Sequence, residues 1–114
     1  MLSDFILIDN EKELRRINLH CILYIKTDDY LSTFYLTNKQ KFVCSKPLNE
    51  LANYLPGHFF QISRSQIVNL NEISSVRRGN RLILLNDTTE LIVSFRRRKS
   101  FNNALASHNM TLTG

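Results

Sequence analysis

The chain has 114 residues, the length of one domain with a single core, and is 43% apolar, 22% charged and +5 in formal net charge. No apolar run approaches the ~20 residues that span a bilayer, and the N-terminus has neither a basic leader nor a small-residue cleavage site. These features exclude a transmembrane helix and argue against a secretory signal. We therefore expect one cytoplasmic domain over residues 1–114, without a membrane partner.

The excess of positive over negative charge lies entirely in the second half of the chain. Residues 1–57 contain seven basic and seven acidic side chains, whereas residues 58–114 contain eight basic and three acidic ones. A one-sided excess of this kind favours a polyanionic partner, although a solvated basic surface would have the same composition.

Six short apolar runs, separated by turn residues, predict β-strands. The separators, such as DNEK, RRGN and NDTT, are rich in turn-forming residues, and a spacing of about ten residues is typical of an antiparallel β-protein. The predicted strands are FILI (5–8), CILYI (21–25), STFYL (32–36), KFVC (41–44), RLILL (81–85) and ELIV (90–93).

The sequence SKPLNELANYLPG (45–57) predicts a short amphipathic helix packed on the sheet. Ser45 is the predicted N-cap, Pro47 fits the first turn, and Pro56-Gly57 ends the helix. Its predicted inward face consists of Leu48, Leu51, Ala52 and Leu55.

A second helix is predicted in SFRRRKSFNNALASH (94–108). Ser94 is the predicted N-cap, and Phe101, Ala104 and Leu105 would face inward. The residues after it, 109–114, are predicted to fray.

Four consecutive cations would occupy the first turn of this helix. Positive charge at a helix N-terminus opposes the helix dipole and costs up to ~1 kcal/mol for each cation. A bound polyanion would turn this unfavourable electrostatic energy into a favourable one. The good helix propensity of arginine and lysine explains the run equally well. The four residues are Arg96, Arg97, Arg98 and Lys99.

No catalytic, metal or cofactor site is predicted. Cys21 and Cys44 form no CxxC pair, and the three histidines are scattered, so no standard zinc spacing is present. His58, Ser63 and Glu72 are close in sequence, but no glycine-rich elbow or paired carboxylates accompany them. We therefore expect a protein that is not an enzyme.

Two longer segments carry a resemblance to a known family. HFFQISRSQIVNLNEISSV (58–76) and LILLNDTTELIVSFRRRKSFNNAL (82–105) are similar to the LytTR family, the DNA-binding output domain of many bacterial response regulators. The family pattern is an aromatic pair, a polar segment that usually reads His-Arg-Ser, a Val-Asn pair, an Ile and a hairpin that closes on Val-Ser-Arg. Residues 21–55 resemble the upstream half of the family, so the resemblance covers roughly residues 5–106. The matching positions are Phe59, Phe60, Arg64, Ser65, Val68, Asn69, Ile73, Val93, Ser94 and Arg96.

The resemblance implies an elongated, mostly β (α+β) antiparallel fold that inserts loops, rather than a recognition helix, into the major groove of double-stranded DNA. It implies three contact regions: residues 28–31 after the Ile-Leu-Tyr strand, including Tyr30 and Leu31, the polar segment around Arg64, and Arg96 just past the last strand.

Arginine suits a base-reading role because its guanidinium can donate two hydrogen bonds to O6 and N7 of guanine. Arg64 would read a base in this way, and Arg96 is expected to be a second base reader. Around Arg64, the side chains of Ser63, Ser65 and Gln66 would contact phosphates and fix the register. Asn69 is interpreted instead as a turn or capping amide.

The sequence departs from the family pattern at three places. Ser63 replaces the usual His, and Phe95 moves the arginine one place beyond Val-Ser-Arg, which leaves the choice between Arg96 and Arg97 open. In the first loop, Asp28 and Asp29 would repel phosphates, so this loop is expected to stand off the DNA.

The predicted function is sequence-specific double-stranded DNA binding by a bacterial transcriptional regulator, with two copies on paired repeats. A receiver domain would need about another hundred residues, so we expect either an output domain of a longer regulator or a stand-alone regulator controlled by abundance or a protein partner. One alternative is a module that stacks single-stranded nucleic acid or RNA on Tyr30, Phe34 and Tyr35. The other is a protein-interaction module.

Overall fold

The computed structural model describes residues 4–108 as an elongated molecule with principal extents of 50 × 32 × 24 Å. Over these residues the chain is mostly antiparallel β-structure with one short and one C-terminal helix, which confirms the predicted fold class. The elements are β1 (Phe5–Asp9), β2 (Leu14–Asn18), β3 (Ile22–Asp28), β4 (Leu31–Leu36), β5 (Lys41–Cys44), α1 (Leu48–Ala52), β6 (Phe59–Ser63), β7 (Gln66–Asn69), β8 (Ile73–Arg77), β9 (Leu82–Leu85), β10 (Glu90–Ile92) and α2 (Arg98–His108).

All six predicted strands are present, but the prediction omitted β2, β6, β7 and β8. The sequence of β2 contains the adjacent cations Arg15 and Arg16, and its one buried side chain is Ile17, which pairs with Ile6 of β1. A strand with so little apolar sequence is recognised by its partner strand rather than by its own residues.

The segment 59–69, which contains the predicted polar contact segment around Arg64, is a β-hairpin. Phe60 pairs with Val68 and Gln61 with Ile67, and the register shifts before Ser63. Arg64 and Ser65 form the turn. Polar residues separate the apolar side chains of Ile62 and Ile67 because the chain reverses direction there.

Residues 4–108 form three antiparallel sheets, arranged in three layers. The central sheet has the strand order β5-β4-β3-β7-β6, and it lies between the β1-β2 hairpin and a sheet of order β10-β9-β8. Side chains alternate between the two faces of each central strand. Ile67 of β7 therefore packs with β1, β2 and α1, whereas the adjacent Val68 packs with β9, β10 and α2.

The first helix is shorter than the sequence predicts and begins later. Ser45 is not its N-cap, because Pro47 keeps an extended backbone and its carbonyl accepts the first helical hydrogen bonds, from Glu50 and Leu51. Leu48 and Leu51 are buried as predicted and Leu55 is partly buried. The fourth predicted inward residue, Ala52, is exposed because the helix ends there.

The C-terminal helix is preceded by a 3-10 turn. Phe95–Arg97 form this turn, and α2 follows from Arg98. The prediction that the side chain of Ser94 caps the helix is wrong, because this side chain makes no capping hydrogen bond. The backbone carbonyl of Ser94 accepts from the N–H of Arg97 at 3.0 Å instead. Phe101 is buried, with Ala104 and Leu105 packed beside it as predicted. The predicted fraying of residues 109–114 lies outside the described residues.

Candidate nucleic-acid interface

The three predicted contact regions lie side by side at one edge of the molecule. The N–H of Thr27 donates to the carbonyl of Ser65 at 2.8 Å, which joins the end of β3 to the β6–β7 turn. The N–H of Ser94 donates to the carbonyl of Ile62 at 2.8 Å, which joins the start of the 3-10 turn to the other strand of the same hairpin. The β3–β4 turn, the β6–β7 turn and the 3-10 turn are far apart in sequence, but these hydrogen bonds hold them next to one another in that order.

The spacing along this edge follows from the sheet. The order β4-β3-β7-β6 places the β3–β4 turn and the β6–β7 turn two strand positions apart. Strands lie about 4.8 Å apart, so the two turns are separated by roughly 10 Å. That separation is close to the ~12 Å width of the DNA major groove.

Arg64 lies at the tip of the β6–β7 hairpin and is exposed. The turn beneath it is held by two hydrogen bonds, from the N–H of Ser65 to Oγ of Ser63 at 3.3 Å and from Nε2 of Gln61 to the carbonyl of Ser63 at 3.0 Å. Ser63, Ser65 and Gln66 are partly buried. The hydroxyl of Ser63 therefore organises the turn, which is a role that the sequence did not assign to it.

The β3–β4 turn is formed by Asp29 and Tyr30. Tyr30 and Leu31 expose 83% and 51% of their surface, so both are available to a partner. Asp28 and Asp29 are also exposed and place two carboxylates beside this contact region. That this turn stands off the DNA stays a prediction.

The four cations that follow β10 belong to two different elements. Arg96 and Arg97 are in the 3-10 turn, and Arg98 and Lys99 begin α2, so the single helical turn that the sequence predicted is not formed. Arg96 and Lys99 are exposed, whereas Arg97 and Arg98 are partly buried.

Arg98 is held by its neighbours. Its guanidinium lies 3.9 Å from the ring centre of Phe95 and its Nη1 donates to the carbonyl of Phe95 at 3.1 Å. This cation–π contact and hydrogen bond anchor the start of α2. Arg96 is exposed and takes part in neither of these contacts.

Within residues 4–108 the arginines at this edge have no carboxylate partner. Among residues 4–108, ion pairs join Arg15 to Glu13 and Lys46 to Glu50, and neither pair involves a cation of residues 58–108. Among these residues Arg64 forms no ion pair with Glu72, the carboxylate nearest to it in the sequence. Unpaired arginines on one surface attract an anionic ligand.

Asn69 has the structural role predicted for it. It is fully buried, its Nδ2 donates to the carbonyl of Ile22 at 2.8 Å, and its Oδ1 accepts from the N–H of Asn71 at 3.0 Å. It thus ties β7 to β3 and caps the 3-10 turn Leu70–Glu72.

Stacking of bases on aromatic residues has limited support. Phe34 is fully buried, so it is part of the core. Tyr35 stacks on Tyr24 with 4.3 Å between ring centres, which occupies one face of each ring. Tyr30 alone of the three proposed residues presents a largely exposed ring.

A further group of arginines was not singled out from the sequence. Arg77, Arg78 and Arg81 surround the β8–β9 turn, and the carbonyl of Arg81 accepts from the N–H of Val93 at 3.0 Å, which places this turn next to the start of the 3-10 turn. The signal available in the sequence was the repeat of arginine in RRGNR (77–81).

Comparison with known proteins identifies the family. The profile of the LytTr DNA-binding domain matches residues 12–106. The solved structures include a similar LytTr DNA-binding domain of a response regulator from Bacillus cereus, with a TM-score of 0.78 and 18% identity over 90% of this chain and 97% of that chain. At this identity the likeness shows a shared fold. No curated protein matches the sequence.

The family match covers most of the chain and agrees with the observed fold. Its members are DNA-binding domains rather than catalytic ones, and their biological role is transcription regulation. Within residues 4–108, neither helix is long and apolar enough to cross a membrane. The chain belongs to the LytTr family of DNA-binding domains.

Proposed function

We propose that this domain binds a specific double-stranded DNA sequence by inserting the β6–β7 turn and the 3-10 turn before α2 into the major groove. The observation that carries the proposal is the fixed alignment of these turns, which presents Arg64 and Arg96 on one edge without carboxylate partners among residues 4–108. Two copies would bind paired repeats as part of a transcriptional regulator.

Arg64 and Arg96 have the base-reading roles in this proposal. Both are exposed, and arginine matches guanine through its planar pair of donors. Ser65, Gln66 and Lys99 would contact phosphates, which position the protein without reading sequence. Arg97 and Arg98 are partly buried and would interact with the phosphate backbone rather than read bases.

Tyr30 and Leu31 have a peripheral role in the proposal. A separation of roughly 10 Å from the β6–β7 turn places them near the rim of the groove that Arg64 enters. The phenol of Tyr30 can donate to a phosphate oxygen, whereas Asp28 and Asp29 keep the rest of the turn away from the backbone.

The test is selection of bound sequences from random duplex DNA, followed by titration of the selected duplex, a scrambled duplex and a single strand. We expect an enriched motif that occurs as a repeat and preference for the selected duplex. If about six phosphates are contacted, log affinity should fall with log salt at a slope near −5 for each bound domain. A slope near zero, or equal binding of the single strand, would contradict the proposal.

A further inference from the structure

A small cleft between the β8–β9 turn and α2 is lined by basic side chains. Its volume is about 40 Å³, and Arg78, Arg81, Arg98 and Asn102 surround it, with Val76 and Phe101 as apolar walls. A water molecule needs roughly 10–15 Å³ of such space, so the cleft holds about three waters or the oxygens of one phosphate group. It is too small for a nucleotide or another cofactor.

Two of the arginines are held close to each other by the same aromatic ring. The guanidinium carbon of Arg98 lies 3.9 Å from the ring centre of Phe95, and that of Arg81 lies 5.7 Å from it. Each guanidinium also donates one hydrogen bond to a backbone carbonyl, Arg81 to Val93 at 3.2 Å and Arg98 to Phe95 at 3.1 Å. Their positions are therefore fixed before any ligand binds.

This arrangement is unfavourable without an anion. Like charges held together repel, and the ion pairs formed among residues 4–108 do not include a carboxylate for Arg78, Arg81 or Arg98. Each arginine side chain has five N–H donors. Arg81 and Arg98 each use one of them on a backbone carbonyl and keep most of the others for a ligand. Forked guanidinium donors match the tetrahedral oxygens of a phosphate, with which they form short, charge-assisted hydrogen bonds.

The cleft lies beside the proposed DNA-binding edge, on the side opposite the acidic β3–β4 turn. The carbonyl of Arg81 accepts from Val93, and the next residue, Ser94, donates to Ile62 of the β6–β7 hairpin. The order along the edge is therefore β8–β9 turn, 3-10 turn, β6–β7 turn and β3–β4 turn. DNA that lies along the two central turns continues over the basic cleft at one end, and Asp28 and Asp29 lie at the other.

We propose that the cleft formed by Arg78, Arg81 and Arg98 binds one phosphate of the DNA backbone that flanks the bases read by Arg64 and Arg96. The proposal rests on the proposed function. It adds a fourth contact region, lengthens the DNA site on one flank, and gives the bound domain a defined orientation along the duplex.

Arg78→Ala is the direct test because Arg78 is exposed, so its removal leaves the core intact. Lys41→Gln is the matched control, since it removes one exposed charge at the opposite end of the central sheet, where Lys41 pairs with Tyr35. Parent and both variants are titrated with two duplexes, one carrying the selected motif with long flanks and one trimmed to the motif.

On the long duplex we expect Arg78→Ala to lower the salt slope by about 0.9, which is a roughly fivefold loss of affinity near 0.15 M salt. On the trimmed duplex the parent and Arg78→Ala should bind alike, and Lys41→Gln should match the parent on both. Arg78→Lys should recover part of the loss, because lysine keeps the charge but not the fork.

The outcomes separate this proposal from the function on which it rests. If the parent binds the motif but Arg78→Ala loses nothing on the long duplex, the cleft proposal is wrong and the function stands. An equal loss on both duplexes would place the contact inside the motif and overturn the flanking role. If inorganic phosphate raises the melting temperature of the parent but not of Arg78→Ala, while both bind the long duplex equally, the cleft takes free phosphate rather than the DNA backbone. If the parent binds no duplex, both proposals fail.

Discussion

The backbone N–H of Ser94 donates to the carbonyl of Ile62 at 2.8 Å, so the chain that leads into α2 is fixed to the strand that leads into the β6–β7 turn. Arg96 and Arg64 therefore project from one framework rather than from two independent loops. A fixed separation between base-reading side chains is required if a protein is to recognise a defined sequence.

Arg64→Ala should separate DNA recognition from folding. The side chain is exposed and has no carboxylate partner among the described residues, so we expect an almost unchanged melting temperature. Specific binding should weaken by ~1–3 kcal/mol, with loss of preference at one base pair. Thermal unfolding and titration of the selected duplex measure the two effects, and an unfolded variant would show that the arginine supports the hairpin instead.

Arg96→Lys should relax base preference while leaving non-specific affinity nearly intact. Lysine keeps the charge but loses the planar fork that matches guanine. Arg97→Lys is the control, because consecutive residues of a 3-10 turn point about 120° apart and cannot face the same bases. We would compare both variants on the selected and the scrambled duplex. Loss of discrimination in the Arg97 variant alone would show that the match to the family pattern is shifted by one residue.

Phe101→Ala should mainly lower stability, whereas Phe95→Ala should mainly weaken DNA binding. Phe101 is 1% exposed and lies 5.8 Å from the ring centre of Phe60, so its truncation should cost about 3–5 kcal/mol of unfolding free energy. Phe95 is 64% exposed, so its truncation should cost little stability. Because the Phe95 ring holds Arg81 and Arg98 in place, that variant should bind DNA more weakly. Chemical denaturation and DNA titration distinguish the two results.

His58 should make stability fall at mildly acidic pH. Burial lowers the pKa of His58, and its electrostatic interaction with His108, whose ring centre is 6.0 Å away, lowers it further. The folded state therefore disfavours the protonated form, so stability is full above the ordinary histidine pKa of about 6.5 and decreases as the pH falls below it. Melting temperatures between about pH 7.5 and pH 5.5 should fall less in His58→Gln than in the parent. His20→Gln is the control substitution, because it removes an exposed histidine outside this pair.

That the named residues contact DNA stays a prediction. Their positions in the fold, however, can be compared with the positions that the sequence pattern predicts. Arg64 falls at a turn because four polar residues separate the apolar residues Ile62 and Ile67, and Phe101 falls in the core because α2 has helical apolar spacing. Both positions follow from local patterns that a single sequence contains. The family resemblance reaches further because it uses the order of many such patterns along nearly the whole chain.

Strand pairing and loop adjacency depend on the tertiary structure. The sequence of β2 is too polar to predict a strand, and it becomes one because β1 supplies hydrogen-bond partners in the register Ile6 with Ile17. Ser45 has good capping chemistry, but the extended backbone at Pro47 starts α1 later. In each case a partner or a backbone constraint outside the local pattern decides the outcome.

The arginine cleft beside the proposed DNA-binding edge depends on the tertiary structure in the same way. RRGNR (77–81) and the arginine run after β10 are separate features of the sequence. They line one cleft because the N–H of Val93 donates to the carbonyl of Arg81. In addition, the guanidinium groups of Arg81 and Arg98 both pack on the ring of Phe95. By itself the sequence determined the family, the fold class and the residue types available for binding DNA. Long-range hydrogen bonds between strands decided which turns lie side by side, because the energy of those bonds depends on partners that are distant along the chain.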